Sequence, residues 1–274
     1  MPHVNVKDGS GGEAYQSQGY LSPIRAISEA EAARIADLVA RIEQEHGEDA
    51  GALLRSNIHM LFPDLFDLAC NPAILDHVED ILGPDILCWS ASFFSKPPED
   101  PSFVSWHQDL TYWGLEPADI VTAWVAITPS NRENGCMRVV PGSHQPGQLG
   151  HSDTFGNDNL LSRGQVLDVP VQEDEAVDLI LHPGEMSLHH VLIVHGSEAN
   201  LSPRPRHGFA IRYIPTYCKQ IGGRTTALLV RGEDRYNHFD PVPRPRVDMA
   251  PEVVAFRAKA VAAVHTILMD GAGA

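Results

Sequence analysis

Apolar residues fall into two kinds of pattern along this chain, helical near both ends and strand-like between them. Ile35, Leu38, Val39 and Ile42 recur at three- and four-residue steps, the spacing of one helix face. Ser28 and Glu31 precede them as an S-x-x-E capping box, which predicts a helix from about Ser28 to Glu45. A second helix is predicted from about Pro72 to Leu82, with Asn71 as N-cap and Gly83-Pro84 as the stop. A last one runs from about Pro251 to Met269, with Val254, Val261, Val264 and Leu268 as its apolar stripe. From Asp85 onward, short runs rich in Val, Ile, Thr, Trp and Phe alternate with clusters of Gly, Pro, Asn and Ser. Strands are expected near Ile86–Lys96, Val104–Leu110, Ile120–Ile127, Met137–Val140, Gln165–Val171, Asp178–Leu181, Met186–Val194 and His207–Ile214. The expected class is α+β, mainly β, with a sandwich or barrel between terminal helices.

The chain of 274 residues is read as a single domain. Its first twenty residues, MPHVNVKDGSGGEAYQSQGY, are polar and lack a signal-peptide pattern, and they read as a flexible lead-in. The polar, Gly- and Asn-rich segment 145–164 is long enough to act as a lid. No run is apolar enough to span a membrane, and a net charge of −16 argues against nucleic-acid or anionic-membrane partners. Four scattered cysteines without a CxxC pair suit a reducing cytoplasm. Only four lysines stand against sixteen arginines, so an anionic ligand would need locally focused arginine.

The fourteen histidines prompt a search for a metal site. His107-Gln-Asp109 lies in an expected strand, where residues i and i+2 share a face and can grip one ion. Two further His-x-Asp triplets, at His151 and His238, show how readily chance produces the motif. Position discriminates: only His107 sits in a β-run that is followed by a second well-placed histidine, His195. His189 shares parity with His195 and is expected to line the same interior without a ligand role. Two histidines and one carboxylate leave three positions open, which suits ferrous iron that must bind a cosubstrate and O₂ together. Eleven residues past His195, Arg206 offers a two-pronged donor to a carboxylate, and Arg204 has the same opportunity.

The segments WHQD, NGCMRVVPGSH, PGEMSLHHVLIVHGS and RHGFAIRYIP, in this order and spacing, resemble the phytanoyl-CoA dioxygenase family. The resemblance implies a double-stranded β-helix (a cupin-like jelly roll) over about residues 85–216. It also implies Fe(II) on His107, Asp109 and His195, with 2-oxoglutarate and O₂ as cosubstrates. Arg206 and Ser197 would then hold the far carboxylate of 2-oxoglutarate, with Trp124 and Lys96 lining its pocket. Asp109 stands where related halogen-transferring enzymes carry a small residue, so hydroxylation or another oxidation is expected. The substrate is expected to be a small metabolite. A metal-binding barrel without turnover and a zinc hydrolase on the same ligands are the alternatives.

Overall fold

The computed structural model describes residues 10–156 and 158–269. The helical start comprises α1 (Ser10–Gln18), the strand β1 (Tyr20–Arg25), α2 (Glu29–His46), α3 (Ala50–Leu54), α4 (Pro63–Ala69) and α5 (Pro72–Leu82). Next come β2 (Ile86–Lys96), β3 (Val104–His107), α6 (Leu110–Trp113), β4 (Leu115–Glu116), β5 (Val121–Ala126), β6 (Arg138–Val139), β7 (His151–Ser152), β8 (Val166–Leu167) and β9 (Val177–Asp178). The chain then forms β10 (Glu185–His190), β11 (His195–Ser197), β12 (Arg206–Pro215), β13 (Lys219–Gln220), β14 (Thr226–Arg231), β15 (Asp240–Pro241) and α7 (Pro251–Leu268).

Two sheets carry the architecture. The larger has the order β1-β10-β5-β12-β2-β14-β15 and the smaller β3-β11-β6-β9. This is the double-stranded β-helix arrangement expected from the sequence. Strand parity divides the larger sheet into two faces. Val121, Ala123 and Val125 of β5 and Phe209, Ile211 and Tyr213 of β12 join the main core with Ile35, Val39, Ile42, Leu65 and Ile74 of the helices. The alternate residues Thr122, Trp124, Arg206, Ala210 and Arg212 face a cavity instead. Both faces are covered, so all ten residues of β12 are buried.

The capping box at Ser28 and Glu31 forms in both directions, a feature worth about 1 kcal/mol. Asn71 caps α5 through Ala73 N–H. Several expectations need correction. The lead-in is not flexible over residues 10–20: they form α1 and the start of β1, anchored by the fully buried Tyr15, while residues 1–9 lie outside the described residues. The strand expected over Val104–Leu110 ends at His107, because the backbone of Asp109 is already helical (φ −68, ψ −37) and leads into α6. The strand expected over Met186–Val194 ends at His190. There a turn closed by Ile193 N–H on His190 O carries the chain from the larger sheet to the smaller. In the regions of Gln165–Val171 and Asp178–Leu181 only the two-residue pairs β8 and β9 are regular. The α7 stripe is shifted only at its start: Val253 and Ala260 are buried and Val254 is 37% exposed, while Val264 packs on the core as expected. Among the described residues no helix is long and apolar enough to cross a membrane.

Candidate metal centre and cosubstrate pocket

β3 and β11 are antiparallel neighbours with His195 directly opposite His107. This pairing brings two imidazoles 88 positions apart into one cluster, with ring centroids 4.1 Å apart. Asp109 enters from the turn after β3, its Oδ1 3.3 Å from His107 Nε2 and 3.9 Å from His195 Nε2. One ligand atom from each residue lies within 4.8 Å of the others, a spacing that fits a single metal ion. The tautomers suit one too. His107 Nδ1 lies 2.9 Å from Ser105 O and 3.1 Å from His195 O, and His195 Nδ1 lies 3.0 Å from Ile193 O. Nδ1–H donation to these carbonyls turns each Nε2 lone pair toward the common point. Burial pushes His195 down to about 4, a value also lowered by His107, so its ring is neutral at neutral pH. Burial alone would raise the Asp109 carboxyl, but the His107 hydrogen bond and the charges of His195, His107 and Arg212 hold it well below the usual carboxylate range.

The other two His-x-Asp triplets have different fates. His238-Phe-Asp240 lies at the edge strand β15, where Asp240 pairs with Arg224. His151 comes close to the centre without joining it: its Nε2 accepts from Gln108 N–H at 2.9 Å. The Gln108 side chain donates to Leu192 O and Gly147 O and accepts from Leu149 N–H. The start of segment 145–164 is thereby tied to the His107–Asp109 turn. The half-buried His151 ring thus buttresses the turn that carries Asp109.

One cavity, with about 470 Å³ of empty space including its mouth, contains the triad together with Arg206, Ser197 and Trp124. Arg206 enters from a strand that does not pair with the His195 strand. β12 pairs with β2 and β5, so Arg206 reaches the cavity from the opposite sheet. Its guanidinium is buried, donates from Nη1 to Gly135 O and lies 5.4 Å over the Trp124 ring, while Nε has no protein partner. Gly135 is a glycine of necessity, with φ +67° and Glu198 O where a Cβ would stand. Lys96, opposite Arg206 in the register and fully buried, donates to Ser197 Oγ at 2.8 Å and to Glu198 O. Desolvation, then the neighbouring Arg206, push its amine down to about 7. Arg204 remains in the exposed loop. His189 lines the cavity from β10, its ring 5.2 Å from that of His195, and is outside the ligand cluster.

Arg206 in the cavity and Lys96 behind Ser197 are thus two buried basic groups beside a three-residue cluster whose ligand atoms could hold one metal ion. The family model for phytanoyl-CoA dioxygenase matches residues 15–208 of this chain. The chain belongs to the phytanoyl-CoA dioxygenase family. Human peroxisomal phytanoyl-CoA dioxygenase is 32% identical over 171 residues, covering 60% of this chain and 50% of that protein. A probable alpha-ketoglutarate-dependent hypophosphite dioxygenase of Stutzerimonas stutzeri is 29% identical over 182 residues, covering 63% of this chain and 61% of that protein. This family member thus spans about half the length of the first curated relatives it matches. Among solved structures, the apo non-heme monooxygenase ThoJ is 32% identical, with a TM-score of 0.85, covering 95% of this chain and 98% of that one. CytC3 with Fe(II) and alpha-ketoglutarate superposes with a TM-score of 0.67 at 22% identity, covering 88% and 95% of the two chains, a likeness of fold.

Gln108 and His151 carry no site signal in the sequence, and Arg212 is there a structural or surface arginine by default that could offer an anion contact if it reached the pocket, as it does. Arg212 carried a usable signal: six residues beyond Arg206 in one strand, it must share its face.

Proposed function

We propose that this chain is an Fe(II)- and 2-oxoglutarate-dependent dioxygenase that hydroxylates a C–H bond of a small molecule. The balance is substrate, O₂ and 2-oxoglutarate to hydroxylated substrate, succinate and CO₂. The observation that carries the reading is the juxtaposition in one cavity of the His107–Asp109–His195 cluster with the buried, incompletely partnered Arg206 guanidinium. A metal-binding barrel without turnover, or a zinc hydrolase, has no use for that cation. Bound iron with the keto acid supplies the oxidising chemistry, and the protein's work is to hold, orient and keep dry.

His107, Asp109 and His195 would hold the ion, and the cavity beside them would take the cosubstrate. Arg206 meets the far carboxylate of 2-oxoglutarate. Because the Ser197 hydroxyl accepts from Lys96, its own proton is free to donate to that carboxylate. Trp124 supports the Arg206 guanidinium from below. Asp109 would be a third ligand where halogen-transferring relatives carry a small residue, which supports hydroxylation over halogen transfer.

The test is direct. Anaerobic protein with Fe(II) and 2-oxoglutarate should show a weak visible charge-transfer band and, on admission of air, release succinate. Bound iron without that band, or activity indifferent to O₂, sinks the proposal.

A further inference from the structure

Arg212 is a second buried guanidinium in the same cavity, 9% exposed, with no carboxylate of the described residues at ion-pair distance. Its hydrogen bonds all leave from Nη1, to Ser92 Oγ at 3.0 Å, Ser90 Oγ at 3.4 Å and Ala210 O at 3.5 Å. The opposite edge, where the Nε and Nη2 protons point the same way, is the edge that grips a carboxylate with two parallel bonds. The plane is fixed by two aromatic rings, Trp113 at 5.4 Å and Phe94 at 5.7 Å. A buried cation is unfavourable unless something answers it, and three neutral oxygens on one nitrogen are a partial answer.

Charge counting points to the missing partner, given the dioxygenase reading on which this inference rests. A divalent ion is matched by Asp109 and the keto-acid carboxylate of the cosubstrate. The far carboxylate answers Arg206 and the Lys96 amine beside it together. Arg212, six residues along β12 from Arg206 and opposite Ser90 and Thr122, lines another part of the cavity and is left over. We infer that Arg212 receives the carboxylate of the prime substrate, so that the substrates of this enzyme are carboxylic acids anchored beside the metal through that group. The flanking rings of Trp113 and Phe94 favour an apolar stretch next to it.

The test uses protein loaded with Fe(II) and 2-oxoglutarate under argon, with trifluoroacetate as the probe and neutral trifluoroacetamide as its control, followed by ¹⁹F NMR line width. Wild type should bind the acid saturably and at least about tenfold more tightly than the amide. In Arg212→Met that preference should vanish. Arg212→Lys keeps the charge but loses the fork, and should weaken acid binding by about tenfold; it carries the comparison if Arg212→Met does not fold. The charge-transfer band of each protein separates the possible failures. No band in wild type overturns the dioxygenase reading and this inference with it. A normal band with no acid preference, or with a preference that survives both substitutions, overturns the role of Arg212 alone. Substitutions that weaken 2-oxoglutarate or iron and leave the probe untouched also overturn it, making Arg212 a cosubstrate or Asp109 partner.

Discussion

Lys96 gives the sharpest quantitative test of the proposed cosubstrate pocket. Its ammonium is fully buried between Ser197 and Glu198 and faces Arg206 across the β2–β12 register. Burial first, and Arg206 second, lower its pKa from 10.5 to about 7. At pH 8 only about a tenth of the protein then carries the charge at Lys96. A carboxylate arriving beside Arg206 and Ser197 cancels much of the local positive field and returns the amine toward its ordinary range. Binding of 2-oxoglutarate at pH 8 should therefore take up close to one proton, about 0.8. The sign for stability follows from the same shift. The unfolded chain holds the Lys96 proton up to its ordinary pKa, so the empty protein gains stability from this group as pH rises from about 7 toward 10.5. Calorimetric titration of 2-oxoglutarate into the metal-loaded, anaerobic protein in buffers of different ionisation enthalpy gives the proton count as a slope. Lys96→Met should bring the slope near zero. A wild-type slope of zero at pH 8 refutes the reasoning, and a slope that persists in Lys96→Met moves the proton to another group.

Arg206→Ala should raise the 2-oxoglutarate requirement by about 100-fold or more while iron is retained, whereas Arg204→Ala in the exposed loop should change neither, as read by charge-transfer titration. Asp109→Ala should abolish turnover and weaken iron binding, measured by succinate release and metal content. Gly208→Ala would put a Cβ into the Trp124 indole, so it should cost about 1–3 kcal/mol in urea unfolding and weaken 2-oxoglutarate as well. Val253→Asp, in the core contact of α7, should destabilise by about 2 kcal/mol or more, while Val254→Asp should stay within about 0.5 kcal/mol in the same assay.

Local pattern served well where one local rule decides the outcome. The capping box at Ser28, the Asn71-Pro72 start and the long apolar runs of β2, β5 and β12 each declare themselves within a dozen residues. The two-residue strands β6 to β9 have no room for a period, and pairing across the sheet creates them. α1 has one apolar anchor, Tyr15, in a Gly- and Ser-rich stretch, so no stripe announces it. The α7 stripe slipped because Val and Ala occur on several of its faces, and only the neighbouring core decides which is covered.

Which three side chains converge was legible in the sequence and how they converge was misread, and the difference explains what such motifs encode. His107 and Asp109 were taken to share a strand face, yet Asp109 lies past the strand end and reaches the cluster because the chain turns there. His189 and His195 were given one parity, yet they approach the cavity from different sheets. Arg206 comes from the larger sheet, whereas His195 lies in the smaller one. A metal needs only that its ligand atoms converge, and many backbone routes deliver them. His-x-Asp spacing therefore marks which residues meet without stating how, which is why the same spacing at His151 yields a buttress on Gln108 N–H rather than a ligand. Parity holds only within one unbroken strand. Over β12 it is reliable from Arg206 through Arg212, since the register with β5 runs without a slip across Gly208–Tyr213. The two arginines of that strand are thus bound to face the same cavity, and any account of the cosubstrate that uses Arg206 must also say what answers Arg212.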